Sequence, residues 1–106
     1  MCMLTVIETP TFMRLANDSW NDEDRTGFIA FIAGNPAAGD VVPGSGGVRK
    51  TRWGNSGRGK RGGVRVIYFN RLANGEIWLL LVYEKSMHKN IPAHVLRQIK
   101  EEIENA

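Results

Sequence analysis

The sequence contains one cysteine, Cys2, which excludes an internal disulfide and any cysteine-based zinc site and suits a reducing compartment. A thiol so near the end, with no evident histidine partner, is set aside as a nucleophile. Long apolar runs are also missing. The longest, Ile77 to Tyr83, falls well short of the ~20 residues that span a bilayer. The start shows no basic segment followed by a long apolar one, so a cytoplasmic protein with no membrane partner is expected. No internal repeat divides the 106 residues, and a chain of that length is expected to form one domain, 1–106, around one core.

The most informative absence is one of charge. Overall the chain is only mildly basic, at +3, which by itself separates few function classes. From Val41 to Gly75, however, there is no aspartate or glutamate, while eight of the 14 cations lie there: Arg49, Lys50, Arg52, Arg58, Lys60, Arg61, Arg65 and Arg71. So many like charges repel one another, and an anionic partner that offsets the repulsion accounts for them best. A cationic, acid-free surface is therefore expected.

Local patterns predict a mixed α and β chain. Leu4 to Glu8 is β-branched and alternating, as in a first strand, and Thr-Pro turns it into a short helix over Thr11 to Asn17. A second helix is predicted over Asp22 to Ala33, capped by Asn21, with acids in its first turn and an apolar stripe of Phe28, Ile29, Phe31 and Ile32. Asn35 to Gly47 is dense in glycine and proline and is expected to lack regular structure. Three strands should follow as an antiparallel meander: Val48 to Trp53, Val64 to Phe69, and Ile77 to Lys85, the last two joined at Asn74-Gly75. The third of these is apolar at nearly every position, so it is expected to be central and covered on both faces, with more alternating strands beside it. Pro92 to Asn105 closes the chain as an amphipathic helix. One face of the sheet is expected to receive the helices.

Two motif-like stretches in the loop Gly54 to Gly63 are dismissed on context. Gly57 to Gly62 fits G-x-G-x-x-G, and Gly54 to Lys60 fits the start of a P-loop. Both nucleotide motifs need a helix after them to hold phosphate, and the P-loop needs a hydroxyl after its lysine. Here Arg61 takes that place and a strand follows.

Alternation along the strands sorts the cations further. Lys50 and Arg52 share one face, opposite Arg49, Thr51 and Trp53; Arg65 lies with Ile67 and Phe69; Tyr83 shares a face with Lys85. If the strand ends meet, Lys50, Arg52, Arg65, Tyr83 and Lys85 converge. A solvated basic face is the commoner fate of any single surface cation, but the group favours a phosphate-binding site. Without carboxylates such a site holds no magnesium or manganese, and no cofactor is called for. RNA can still be cut there without metal, by attack of the 2′-hydroxyl on its own phosphate. That needs a base, an acid and fixed positive charge, and DNA lacks the attacking hydroxyl. Lysine or tyrosine can exchange the protons. His88, just past the last strand, is a further candidate to touch substrate, whereas His94, in the first turn of the last helix, reads as a surface residue. Trp20, Trp53 and Trp78 read as core rather than as stacking platforms.

Three separated motifs carry a family resemblance: Gly46-Gly-Val-Arg-Lys-Thr-Arg-Trp53, Gly59-Lys-Arg-Gly-Gly-Val-Arg-Val-Ile-Tyr68 and Ile77-Trp-Leu-Leu-Leu-Val-Tyr-Glu-Lys85. The chain resembles the RelE/ParE toxin superfamily in its HigB-like branch. The resemblance implies an α+β, microbial RNase-type fold, with an antiparallel sheet, two N-terminal helices and a C-terminal helix. It implies the toxin of a type II toxin-antitoxin system, an mRNA interferase acting in the ribosomal A site and restrained by a HigA-like helix-turn-helix antitoxin. The family's cationic strand positions fall on Lys50 and Arg52, its phosphate-binding arginine on Arg65, and the basic residue ending the central strand on Lys85; Tyr83 completes the expected catalytic set. Arg49, Arg58, Lys60, Arg61, Tyr68 and His88 are expected to contact mRNA or ribosomal RNA. Some relatives place a Tyr or His base in the final segment, but no Tyr follows Tyr83 here, which leaves the base open among Lys85, Tyr83, Tyr68 and His88. Two rivals remain: a ParE-like gyrase inhibitor, which cuts nothing, and a plain RNA-binding module.

Overall fold

The computed structural model describes residues 4–54, 63–84 and 91–105. The elements run β1 (Thr5–Glu8), α1 (Pro10–Ser19), α2 (Asp22–Gly34), β2 (Asp40–Val41), β3 (Arg49–Trp53), β4 (Val64–Arg71), a 3₁₀ turn (Leu72–Asn74), β5 (Glu76–Glu84) and α3 (Ala93–Glu104). They form one five-stranded sheet in the order β1-β5-β4-β3-β2.

Local chemistry sets the two N-terminal helices. Thr9 caps α1: its Oγ1 accepts the Phe12 N–H at 3.2 Å and donates to the Leu79 carbonyl at 2.9 Å, which ties the helix start to β5. Pro10 occupies the first helical position, where its missing N–H costs nothing. This helix begins one residue before and ends two beyond the stretch predicted for it. Asn21 caps α2 as expected, with Oδ1 2.7 Å from the Asp24 nitrogen, and the acids of the first turn lie at the positive end of the helix. Arg25 of α2 reaches Glu8 of β1 at 2.8 Å, pinning helix to sheet edge.

The meander β3-β4-β5 is antiparallel, as predicted. The whole sheet is not, because β1 pairs with β5 in parallel. Asn74-Gly75 does mark the chain reversal, although not as a two-residue turn. Leu72–Asn74 forms a 3₁₀ turn, and Gly75 ends it at φ 69° and ψ 32°, a left-handed conformation suited to glycine. The breaker-rich segment after α2 was expected to lack regular structure, yet it contributes the edge strand β2.

Helices cover both faces of the sheet rather than one. On the first face α1 and α2 pack Phe12, Ala16, Trp20, Phe28 and Ile32 against Val64, Val66, Tyr68, Ile77, Leu79 and Val82. On the second, Leu96 of α3 joins Val48, Ile67, Phe69, Leu80 and Tyr83. This explains why β5 is apolar almost throughout. Its neighbour β4 is buried nearly as fully and holds the middle of the sheet, so the expected contrast between one apolar strand and more alternating neighbours does not hold on that side. The three tryptophans all pack with core side chains: Trp20 and Trp53 flank Phe28 at 5.7 and 5.4 Å between ring centroids, and Trp78 stacks on Phe69 at 6.5 Å.

One irregularity positions a side chain. Ile67 pairs with Leu81 but Tyr68 with Leu79, so Leu80 has no residue opposite and forms a bulge. Strict alternation would keep Tyr83 on the face of Ile77 and Leu79. The extra residue reverses the parity, and Tyr83 packs with the α3 face instead.

Candidate nucleic-acid interface

The pairing register brings four of the five expected catalytic residues to one face. Arg52 stands opposite Arg65, and Arg65 opposite Tyr83, forming a row across β3, β4 and β5. Lys50 lies two residues along β3 from Arg52, on the same face, with Asp40 of β2 directly opposite it. Directly opposed residues in an antiparallel pair have Cβ atoms about 5 Å apart, so these side chains reach one another's neighbourhood. Between them is an open depression of about 380 Å³, lined by Ala38, Asp40, Lys50, Thr51, Arg52 and Arg65.

Asp40 overturns the expectation of an acid-free surface. It bounds the acid-free stretch in sequence, but the β2–β3 pairing folds it back into the cationic cluster. The two-residue β2 is too short to hold itself, and side chains from other strands hold it. The Tyr68 hydroxyl accepts the Gly39 N–H at 2.8 Å and donates to the Pro36 carbonyl at 2.9 Å; Arg49 Nη1 donates to the Gly39 carbonyl at 2.6 Å and Asn70 Nδ2 to the Pro36 carbonyl at 3.0 Å. A Cβ on Gly39 would sit 2.9 Å from the Lys50 carbonyl oxygen and 3.0 Å from the Tyr68 ring, so only glycine fits there.

Those bonds reassign two residues expected to contact RNA. Tyr68 is fully buried on the α1/α2 face, opposite in direction to the depression, and its hydroxyl is occupied by the β2 segment. Arg49, its cross-strand partner, points the same way and is half-buried. Both hold the site's edge from behind. Tyr68 is also thereby removed as a base. Lys85, Arg58, Lys60, Arg61 and His88 lie outside the described residues. His94 is exposed in the first turn of α3.

Electrostatics distinguish the remaining groups. Burial pushes the Tyr83 hydroxyl above its usual pKa, opposed by the Arg65 guanidinium, so it holds its proton near neutral pH and suits an acid better than a base. Burial likewise raises Tyr68, against the lowering by the Gly39 hydrogen bond and Arg49, with Asp40 adding to the rise. Asp40 and Arg52 are exposed, while Lys50 and Arg65 are half-buried at the walls of the depression. The site is thus an open cationic hollow with one acidic residue, Asp40, at its edge, and with Tyr83 buried beside Arg65 on the same face of the sheet. Sequence reasoning missed Asp40, although Asp40-Val-Val, a β-branched patch among breakers, hinted at a short strand.

A sheet flanked by helices on both faces defines an α+β class. No family model matches the chain. Among solved structures, it is similar to the E. coli toxin RelE, a mutant in the free state, with a TM-score of 0.59 and 9% sequence identity, covering 93% of this chain and 98% of that one. The fold is therefore RelE-like. Among the described residues, no helix is long and apolar enough to cross a membrane.

Proposed function

We propose that this protein is a toxin of RelE type, an endoribonuclease that cleaves mRNA in the ribosomal A site by attack of the 2′-hydroxyl on the adjacent phosphate. The observation that carries the reading is the row Arg52-Arg65-Tyr83 beside Lys50. Fixed guanidiniums there meet the charge that grows on phosphorus-bound oxygens in the transition state. Lys50 holds the flanking phosphate, and Tyr83 supplies a proton to the departing 5′-oxygen. Lys85, which follows β5 in sequence, belongs to the catalytic set, and His88 beyond it, with Arg58, Lys60 and Arg61 between β3 and β4 in sequence, contacts the RNA or ribosome backbone.

In this reading the toxin is neutralised by a HigA-like helix-turn-helix antitoxin and works in the cytoplasm, where ribosomes are. The test is to add the protein to translating ribosomes and map mRNA ends by primer extension. New ends at A-site codons support the reading. Intact message, with trapped gyrase-DNA complexes, assigns the fold to gyrase inhibition instead. Intact message with RNA bound and no growth arrest on induction reduces it to a binding module.

A further inference from the structure

RNA cleavage by the 2′-hydroxyl needs a group that takes the proton from that hydroxyl, and the sequence alone left it unassigned. The structure narrows the choice. Tyr68 faces the other side of the sheet, and Tyr83 is buried and keeps its proton, while Lys85 and His88 lie outside the described residues. Of the six described residues around the depression, Asp40 alone carries a carboxyl group. We infer that Asp40 is the general base, a role that rests on the nuclease reading above.

Two features of the fold support a placed catalytic group rather than a chance surface carboxylate. First, Asp40 is the residue of β2 that pairs with Lys50, and so faces the depression, while Val41 pairs with Arg49 and faces away. The four hydrogen bonds on Gly39 and Pro36 serve to hold this edge in place, and Tyr68, Arg49 and Asn70 are thereby positioning residues for it. Second, Asp40 lies on the same face of the sheet as Lys50 and the Arg52-Arg65-Tyr83 row, and it lines the depression together with Lys50, Arg52 and Arg65. Asp40 stands on β2 beside Lys50, two residues along β3 from the row that runs from Arg52 through Arg65 to Tyr83 on β5. Three strand spacings separate β2 from β5, about 14 Å of backbone.

The step balances within the site. The Asp40 carboxylate takes the 2′-OH proton as the 2′-oxygen bonds to phosphorus. The bond from phosphorus to the 5′-oxygen breaks, and that oxygen takes the Tyr83 hydroxyl proton. The products are a 2′,3′-cyclic phosphate and a free 5′-OH, and a water returns the proton from Asp40 to the Tyr83 phenolate.

Single-turnover cleavage of reporter mRNA, with programmed ribosomes in excess, tests the assignment. Asp40→Asn should lower the saturating rate by about 10²- to 10⁴-fold. Its half-saturating ribosome concentration should stay the same or fall, because a negative charge has left a cationic hollow. Asp40→Glu should recover part of the rate. An Asp40→Asn protein that cuts as fast as the parent overturns the inference and leaves the nuclease reading standing, since Asp40 is then only a counter-charge. A parent that cuts nothing overturns both. An mRNA with a bridging sulfur at the 5′-position, whose leaving group needs no proton, separates base from acid: Asp40→Asn should remain slow on it, and recovery of its rate overturns the assignment. Matching thermal unfolding of variant and parent excludes misfolding as the cause of a loss.

Discussion

Arg65 stands directly across the β3–β4 ladder from Arg52, so two like charges occupy opposed positions of one antiparallel pair. Such a pair costs stability, about 0.2 to 1 kcal/mol relative to neutral residues. A cost of this kind persists where an anion offsets it. Arg52 is exposed and can be changed with little repacking. Arg52→Gln should therefore stabilise the free protein by a few tenths of a kcal/mol, more at low salt, while weakening RNA binding. Urea unfolding at two salt concentrations, beside RNA binding at the same two, checks both signs.

Arg65 lies between Arg52 and Tyr83 and lines the depression, where a phosphate's developing charge would fall. Removing one such fixed donor costs an enzyme about 10²- to 10³-fold in rate. Arg65→Ala should slow mRNA cleavage by that factor and relieve growth arrest on induction. A time course of primer-extension products reads the first, and colony counts the second. A variant that remains fully toxic would place the phosphate elsewhere.

Tyr83 reaches the row only because Leu80 is inserted opposite the Ile67/Tyr68 step. Bulges of this kind re-aim side chains near active sites. Tyr83→Phe keeps the ring in the α3-side core and removes only the hydroxyl. We expect a stability change within about 1 kcal/mol, the ordinary net worth of one hydrogen bond. Cleavage should slow by about 10²-fold or more, the contribution of a positioned proton donor. Equal rates for the two proteins would pass the acid role to another group.

The bulge also shows where sequence reading stops. The helices were legible because Asn21, Thr9-Pro10 and the spacing of Phe28 and Ile32 are local signals. The shared face of Lys50 and Arg52, and of Arg65 and Ile67, followed from simple alternation. The face that Tyr83 takes was not legible, since no local feature of five consecutive apolar or aromatic residues tells which one lacks a partner. Asp40 was invisible for a different reason. Its strand exists through bonds from Arg49, Tyr68 and Asn70, about 10 to 34 residues away, and a two-residue strand leaves no periodicity. The second helical face was missed because an apolar strand signals cover on both sides without naming what covers it.

Gly39 sits where the β2 edge crosses Tyr68. Its would-be Cβ lies 2.9 Å from the Lys50 carbonyl oxygen, a backbone atom of a paired strand that cannot swing aside. Gly39→Ala should therefore push β2 outward and cost about 1 to 3 kcal/mol, as overpacking does. Because Asp40 is the next residue, activity should fall more than stability. Urea midpoints and cleavage rates measured on the same preparation make the comparison. If the variant is as stable and active as the parent, β2 is not held as tightly as its hydrogen bonds indicate.

Tyr68 couples that edge to pH. Its hydroxyl bridges Gly39 and Pro36, and Tyr68→Phe leaves the Gly39 N–H and Pro36 carbonyl without that partner, at a cost of about 1 to 3 kcal/mol. The pKa of Tyr68 is raised in the fold, chiefly by burial, so the folded state keeps the proton at a pH where the unfolded chain has begun to lose it. The stability tied to this group is fully present below the unfolded value, about 10, and is lost as pH rises through the higher folded one. Tyr83 is shifted in the same direction and adds to the loss. The parent's urea midpoint should be insensitive to these tyrosines from pH 7 to 9 and decline above pH 10. In Tyr68→Phe the midpoint should start lower, and its decline above pH 10 should be shallower, because only Tyr83 remains. An equally steep alkaline decline in the variant would remove Tyr68 as its source.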